Sequence, residues 1–349
     1  MTGRRSFFYV LTSGGIALLL LATILLLNIL VDPLWFFGGD KLLPRNFAFD
    51  ERTARAARFA SSPRNYNCYI FGASRVSLIN ENRFAGYTCF MFAFAAATPR
   101  ELVAFAEYAK KFQKAEPRLI VVGIDDFDFI EPADSFTVPS FVRDGQLPKF
   151  WNYYLSMRVA TWSIETLFDR SPLERYYGAD LTGQVRPDAR TFQTKRLTLP
   201  PGQHWDFSDE NAGTYAAFRR IFPHAHLVGY VTPIAADRVL EYDRSGVLHD
   251  YLHALIEAVK SFDEAYDFSI PSPVTLDPAM TYDGSHFYPI VGDRIINAIL
   301  SHNSDFGVRL DGLSAVQLQN LYAERIKSLL GPKPTATDHT RGHALHVQR

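Results

Sequence analysis

Leu119-Ile120-Val121-Val122-Gly123 carries no polar side chain. A strand covered on both faces reads as a continuous apolar run, as it does in the middle of a parallel sheet. Upstream, Cys68-Tyr69-Ile70-Phe71-Gly72 has the same character and ends in a glycine turn, and Cys89-Phe90-Met91-Phe92 is a second such run. Between this run and Leu119 lies a helix start, Thr98-Pro99-Arg100-Glu101. Threonine caps, proline occupies the first turn, and Glu101 closes a capping box. Leu102, Phe105, Ala106, Ala109 and Phe112 then line one helical face. Downstream, His226–Val231 reads as a strand and Leu248–Phe262 as a helix. Strands alternating with helices imply an α/β fold, a doubly wound parallel sheet with helices on both faces. Chemistry in such sheets sits at the carboxyl ends of the strands.

The 349 residues, 47% hydrophobic and 21% charged, suffice for one large α/β domain with appendages or two modest domains. A net charge of −1 gives no electrostatic ground for a nucleic-acid partner. The N-terminus bears on location. Arg4 and Arg5 precede an apolar run, Phe7 to Val31, with no charge before Asp32. Such a run can cross about 30 Å of hydrocarbon as a helix. Leu18–Leu27 offers no small-x-small cleavage site, so the run reads as an uncleaved anchor. The two arginines keep residues 1–5 cytoplasmic, residues 6–31 span, and residue 32 onward lies outside. Trp35, Phe36 and Phe37 are then expected at the outer membrane interface.

Residues 32–62 read as a stalk, with Asp32-Pro33 at one end and a basic helical stretch, Arg52 to Arg58, at the other. The α/β domain is expected over 63–310. Residues 131–220 interrupt its alternation with Trp151, Tyr153, Tyr154 and Trp162 and then a Pro/Gly/Asp-rich stretch. They are expected to form an inserted lid roofing the carboxyl edge of the sheet. Residues 311–331 form a C-terminal helix capped by Ser314 with Gln317, and the polar tail 332–349 reads as disordered. Cys68 and Cys89 each open a strand; in an exported chain they are either a disulfide or two small buried thiols.

Two blocks carry chemistry. Gly72-Ala73-Ser74-Arg75 puts a serine just beyond a strand, and Tyr282-Asp283-Gly284-Ser285-His286-Phe287 puts an aspartate three residues before a histidine. A histidine accepts a serine proton only if something fixes its tautomer and stabilises the imidazolium, and Asp283 can do both. Ser74 is the candidate nucleophile, His286 the base and Asp283 its orienter; alternatively Ser74 caps a helix and Asp283 forms a turn. His249-Asp250-Tyr251-Leu252-His253 has zinc-helix spacing but lacks the glutamate and a third ligand, so no metal or other cofactor is expected.

These blocks resemble the SGNH (GDSL-like) hydrolase superfamily, within it the membrane-anchored, exported proteins of bacterial envelope polysaccharide modification, with relatives among alginate O-acetylation proteins. The resemblance covers roughly residues 66–130 and 226–310, plus Val31-Asp32-Pro33. It implies a flavodoxin-like three-layer sandwich, with Ser74 in the first block and Asp283 and His286 in the last, followed by the Tyr288–Asp293 helix start. Gly123-Ile124-Asp125-Asp126 matches the third block, and the second-block glycine falls at Ala96. Ser74, Ala96 and Asp125 are thereby implied as the oxyanion site, and Arg75 as a hold for an anionic sugar or acyl group. The chain departs from the pattern at Ala73, Ala96 and Asp125, where the family has aspartate, glycine and asparagine. An asparagine amide donates to an oxyanion, whereas an ionised carboxylate repels it. Asp125 is therefore protonated, or paired with Arg75 while backbone N–H groups form the hole, or a sign that catalysis is lost. The resemblance implies a serine esterase or O-acyltransferase, acetyl being the expected group. Its substrate would be a polysaccharide outside a bacterial inner membrane, and a membrane-bound O-acyltransferase would supply the acyl groups. The alternative is a catalytically silent member that binds polysaccharide or scaffolds a secretion complex.

Overall fold

A computed structural model describes residues 2–38, 42–43, 45–61, 65–113, 115–130, 138–171, 173–178, 182–193 and 206–330. Its strands are β1 (Arg45–Asn46), β2 (Cys68–Gly72), β3 (Cys89–Ala93), β4 (Leu119–Ile124), β5 (Arg175–Gly178), β6 (Gly183–Val185), β7 (His226–Val231), β8 (Glu264–Asp267) and β9 (Val308–Arg309). Six form the main sheet in the order β3-β2-β4-β7-β8-β9, parallel except for β9, which pairs antiparallel at the edge. The chain is thus mixed α/β with a mostly parallel sheet. The chain steps from β2 out to β3 and then crosses back to β4, so the order reverses between β2 and β4. Ligands bind in the crevice beyond the strand ends at such a reversal.

Alternation along the strands divides the core. Tyr69, Phe71, Phe90, Phe92, Ile120 and Val122 pack together with Phe59, Phe105, Phe218, Leu255 and Tyr322 from the helices on one face. Ile70, Met91 and Val121 meet Val291, Ile295 and Ile299 of the Pro289–Ser301 helix on the other. Cys68 and Cys89 are register partners on β2 and β3 and form a disulfide. The helix expected to reach Phe262 ends at Val259, and Phe262 turns back against Gly229 of β7. The Ser314 capping box with Gln317 is present, and Leu318 and Tyr322 of its helix are buried in the main core. The expected disordered tail, 332–349, lies outside the described residues.

Several expectations need correction. Thr98 caps the Pro99–Phe112 helix, but Glu101 does not close a capping box: both its oxygens accept from Arg52, at 2.5 and 2.8 Å. A bidentate guanidinium is a stronger partner than one backbone N–H. Residues 32–62 do not stand free as a stalk. Leu34, Trp35, Phe47, Arg55 and Phe59 are buried, and the Glu51–Ser61 helix packs over β3. Trp35, expected at the membrane interface, is only 1% exposed.

The Thr2–Val31 helix contains one stretch, Phe7–Val31, long and apolar enough to cross a membrane. Its last turns are gripped by the insertion. Asn28 donates to the Tyr154 carbonyl and accepts from Ser163 Oγ, each at 2.8 Å, and Tyr154 donates its hydroxyl to Asp32. The insertion's aromatics are therefore not a roof over the sheet. Tyr153 and Tyr154 pack on Phe36, and Trp162 stacks on Phe49 at 5.5 Å. What reaches the carboxyl edge instead is the small antiparallel sheet β1-β5-β6, whose Gly183 lies against the backbone of Ser77, and Phe192, which lies against Gly284.

Candidate active site

Ser74 is placed by the turn that ends β2. A Cβ on Gly72 would lie 2.2 Å from a Val76 methyl, so only glycine lets the chain fold back this tightly. Ser77 secures the turn by donating its hydroxyl (2.5 Å) and its N–H (3.2 Å) to the Ser74 carbonyl. The Ser74 hydroxyl caps no helix; it lies 2.8 Å from His286 Nε2.

The histidine comes from the loop before the Pro289–Ser301 helix. Thr281 Oγ1 donates to the His286 carbonyl and accepts from Gly284 N–H, at 2.7 and 2.9 Å. Gly284 has φ +81°, a left-handed conformation that the tight loop requires. Asp283 is thereby folded back onto its own loop. Its Oδ1 accepts from the N–H groups of Ser285 and His286, at 2.8 and 2.7 Å, and its Oδ2 lies 2.7 Å from His286 Nδ1. Burial would raise the Asp283 pKa, but the His286 contact and these N–H groups hold it below the ordinary carboxylate range. With Asp283 ionised, Nδ1 carries the imidazole proton and Nε2 is free to accept from Ser74. The Tyr282 ring stacks on His286 at 5.5 Å and fixes the plane of the imidazole.

A cavity of about 320 Å³ opens beside this chain, lined by Ser74, His286, Ala96, Thr98, Asp125, Phe127 and Asn211 among others. Ala96 has φ +49°. That left-handed backbone is strained for any residue with a Cβ and explains why glycine suits the position. Among the described residues, neither the Ser74 nor the Ala96 backbone N–H has a hydrogen-bond partner. The loop that carries Ala96 is pinned one residue earlier: Glu51 accepts from the Ala95 N–H, and Arg52 donates to the Ala95 carbonyl at 3.1 Å.

Three carboxylates follow β4. Asp126 accepts from Arg75 Nη1 at 2.6 Å and lies 3.6 Å from Arg238; these cations hold its pKa low despite its burial. Arg75 also donates to Ser285 Oγ at 3.0 Å. Arg75, expected to hold a substrate anion, lines the cavity with its guanidinium mostly buried, and two of its nitrogens serve Asp126 and Ser285. Only Nη2 is left without a partner. Asp125 accepts from Thr232 and lies 3.7 Å from Arg75; burial nonetheless raises its pKa. Asp128 accepts from the Asp125 N–H (2.8 Å) and Tyr215 (2.6 Å), and burial beside Asp125 pushes its pKa up to about 8.

An aspartate with a raised folded pKa has a definite linkage. Between its unfolded value of about 4 and about 8, the folded state holds a proton that the unfolded chain has released. Its contribution is complete at acid pH and is lost as pH rises through about 8, with a slope near 1.4 kcal/mol per pH unit. Asparagine mimics the protonated form, so Asp128→Asn should lose less thermal stability than the parent between pH 6 and 9. Melting curves that remain parallel across that range would rule out a neutral Asp128.

Of the residues singled out in the sequence, Ser74, Ala96, Asp125 and His286 line one cavity, and Asp283 stands behind His286. Sequence reasoning missed Tyr282, Thr281 and Ser285 as supports, although all three sit in or beside the block containing His286. It also missed Glu51 and Arg52, for which no local signal exists. Among the described residues, no group of three or more His, Cys, Asp or Glu is placed to hold a metal ion. Compared with known proteins, the chain matches no family model and no curated protein.

Proposed function

We propose that this chain is a membrane-tethered serine esterase or O-acyltransferase of SGNH type. The observation that carries the reading is the chain Ser74 Oγ–His286 Nε2–Asp283 at 2.8 and 2.7 Å, beside a cavity lined by Ser74 and Ala96, whose N–H groups have no partner among the described residues. In this reading His286 takes the Ser74 proton while Oγ attacks the carbonyl carbon of an ester. The oxygen that becomes negative is held by the N–H groups of Ser74 and Ala96. Collapse of the adduct expels the alcohol, which receives the proton from His286 and leaves an acyl-Ser74. A second hydroxyl, deprotonated by His286, then takes the acyl group: a sugar gives transfer, water gives hydrolysis. The Arg75 guanidinium, 3.7 Å from Asp125, offsets the repulsion that an ionised carboxylate would impose here, and burial, which raises the Asp125 pKa, works in the same direction.

The resemblance supplies the substrate class, an envelope or extracellular polysaccharide, and acetyl as the group. It also supplies a membrane-bound O-acyltransferase as donor. The apolar helix and Arg4-Arg5 support a single-pass anchor in a bacterial inner membrane with the α/β body in the periplasm. The test is labelling of the detergent-solubilised full chain with a fluorophosphonate, with Ser74→Ala as its control. Labelling confined to the parent supports the enzyme; no labelling, or equal labelling of both, overturns it. Asp125 at the asparagine position favours the second reading, a silent polysaccharide-binding scaffold, which predicts glycan binding without labelling.

A further inference from the structure

We propose that residues 151–168 form a second membrane element, lying in the outer interface of the bilayer that the Phe7–Val31 helix crosses. The proposal rests on the anchor reading above and concerns a different part of the chain. The Met157–Leu167 helix has two faces. Val159, Ala160, Ser163 and Thr166 are buried, turned toward the anchor and its surroundings. The opposite stripe runs Met157, Thr161, Ile164 and Phe168, at spacings of four, three and four residues, and is exposed. Met157 is 67% exposed, Ile164 46% and Phe168 69%. A helix face turned to water is ordinarily charged. This one is apolar but for Thr161, whose hydroxyl donates to the Met157 carbonyl at 3.1 Å, and Trp151, Leu155 and Leu167 extend it. Among the described residues, twelve large hydrophobics outside the apolar helix are exposed, and six of them fall within these eighteen positions. Concentration of this kind marks a surface with a partner.

The position of the segment identifies the partner as lipid. About 20 helical residues cross the hydrocarbon core. Counted from Phe7, that places Leu26 at its outer edge, and the segment grips the helix just there, through Asn28 to Tyr154 and Ser163. Leu25 and Ile29 of the apolar helix pack with Tyr154, Val159 and Trp162 in one small cluster, so the buried face of the segment rests on the anchor and the stripe is exposed beside it. Cations flank the stripe: Lys149 sits over Trp151 and Arg158 over Trp162, at 5.9 and 5.7 Å, with Arg170 beyond Phe168; of the two acidic residues in the stretch, Glu165 and Asp169, the latter is paired with Arg45 and Arg186. An apolar face, interfacial aromatics and flanking cations are the pattern of a helix lying in the headgroup boundary.

Spin labels test this in the full chain reconstituted in phosphatidylcholine/phosphatidylglycerol vesicles. Cys68 and Cys89 are joined, so single cysteines at Met157→Cys, Ile164→Cys and Phe168→Cys take the label alone. Leu19→Cys reports the anchor and Lys260→Cys the water-exposed body. Collision with oxygen should exceed collision with a water-soluble nickel chelate severalfold at 157, 164 and 168, as at 19 and unlike 260. Nickel access equal to that at 260, with 19 still in lipid, overturns the interfacial element and leaves the anchor standing. Labels shielded from both reagents indicate a protein partner or a second copy, and also overturn it. Nickel access at 19 removes the anchor, and this proposal with it.

Discussion

Asp283→Asn is expected to fold as the parent does and to hydrolyse a p-nitrophenyl ester about 10⁴-fold more slowly. The expectation follows from which atom carries the imidazole proton. In the parent, Oδ2 can only accept, so Nδ1 must donate and Nε2 is left with a lone pair for Ser74. Asparagine keeps an oxygen for the N–H groups of Ser285 and His286, and the loop geometry survives. Its amide nitrogen then faces Nδ1 as a donor. The ring responds by moving its proton to Nε2, where it can no longer accept from the serine. Ser74→Ala and His286→Ala should fall to a similar floor, because the three groups act as one unit and their losses do not add. An asparagine variant within tenfold of the parent would show that Asp283 does not set the tautomer, and the proposed mechanism would fail with it.

Glu51→Ala should lower the stability of the chain by about 3–5 kcal/mol and should reduce kcat more than it raises KM. Glu51 is buried at the start of the helix that follows the apolar segment. It accepts from Arg175, from Tyr177 and from the Ala95 N–H. Removing it strands the buried Arg175 guanidinium without its counter-charge, which is the costly way to break such a pair. It also releases Ala95, next to the left-handed Ala96, which lines the cavity. A donor that drifts from its position costs rate rather than binding, since it acts on charge developing in the transition state. Arg55→Leu separates this from simple destabilisation. Arg55 is equally buried on the same helix but donates to the Met91 carbonyl, away from Ala95. Its loss should lower the melting temperature and spare kcat measured well below the transition. Equal effects of the two variants on kcat would reduce Glu51 to a structural role.

The parts of the fold that could be read from the sequence are those in which one residue type suffices. β2, β3, β4 and β7 are apolar on both faces, and their bounds agree with expectation within about a residue. β8 is Glu264-Ala265-Tyr266-Asp267, and no apolar run announces it. Asp267 is tolerated inside because Tyr322, 55 residues on, and the nearby Ser269 donate to it. The Asp283–His286 pair was legible because its spacing is local, and the link to Ser74 because both lie at the ends of sheet-related elements. The role of Arg75 was not, since a guanidinium beside a cavity suits a substrate anion as well as a buried carboxylate. The distances to Asp126 and Ser285 show the second kind of partner, which the sequence could not. Trp151 to Trp162 failed in the same way. Aromatic composition says that a surface will be covered, and not by what.

Tyr154 and Ser163 hold Asn28, and Tyr154 holds Asp32 just beyond, so among the described residues the end of the apolar helix is fixed to the segment that follows it in space rather than left loose. A hinged leash would let the catalytic cleft sweep a hemisphere of space and sample substrates at many heights. On the proposed reading, a fixed mast would hold it near one elevation, and a polymer or acyl carrier would have to present its reactive group at that level. Helices tilt to match bilayer thickness. With the helix in a bilayer, changes in lipid composition that thin or thicken it would therefore lean the whole head, and reactivity would depend on membrane thickness even though no lipid touches the cleft.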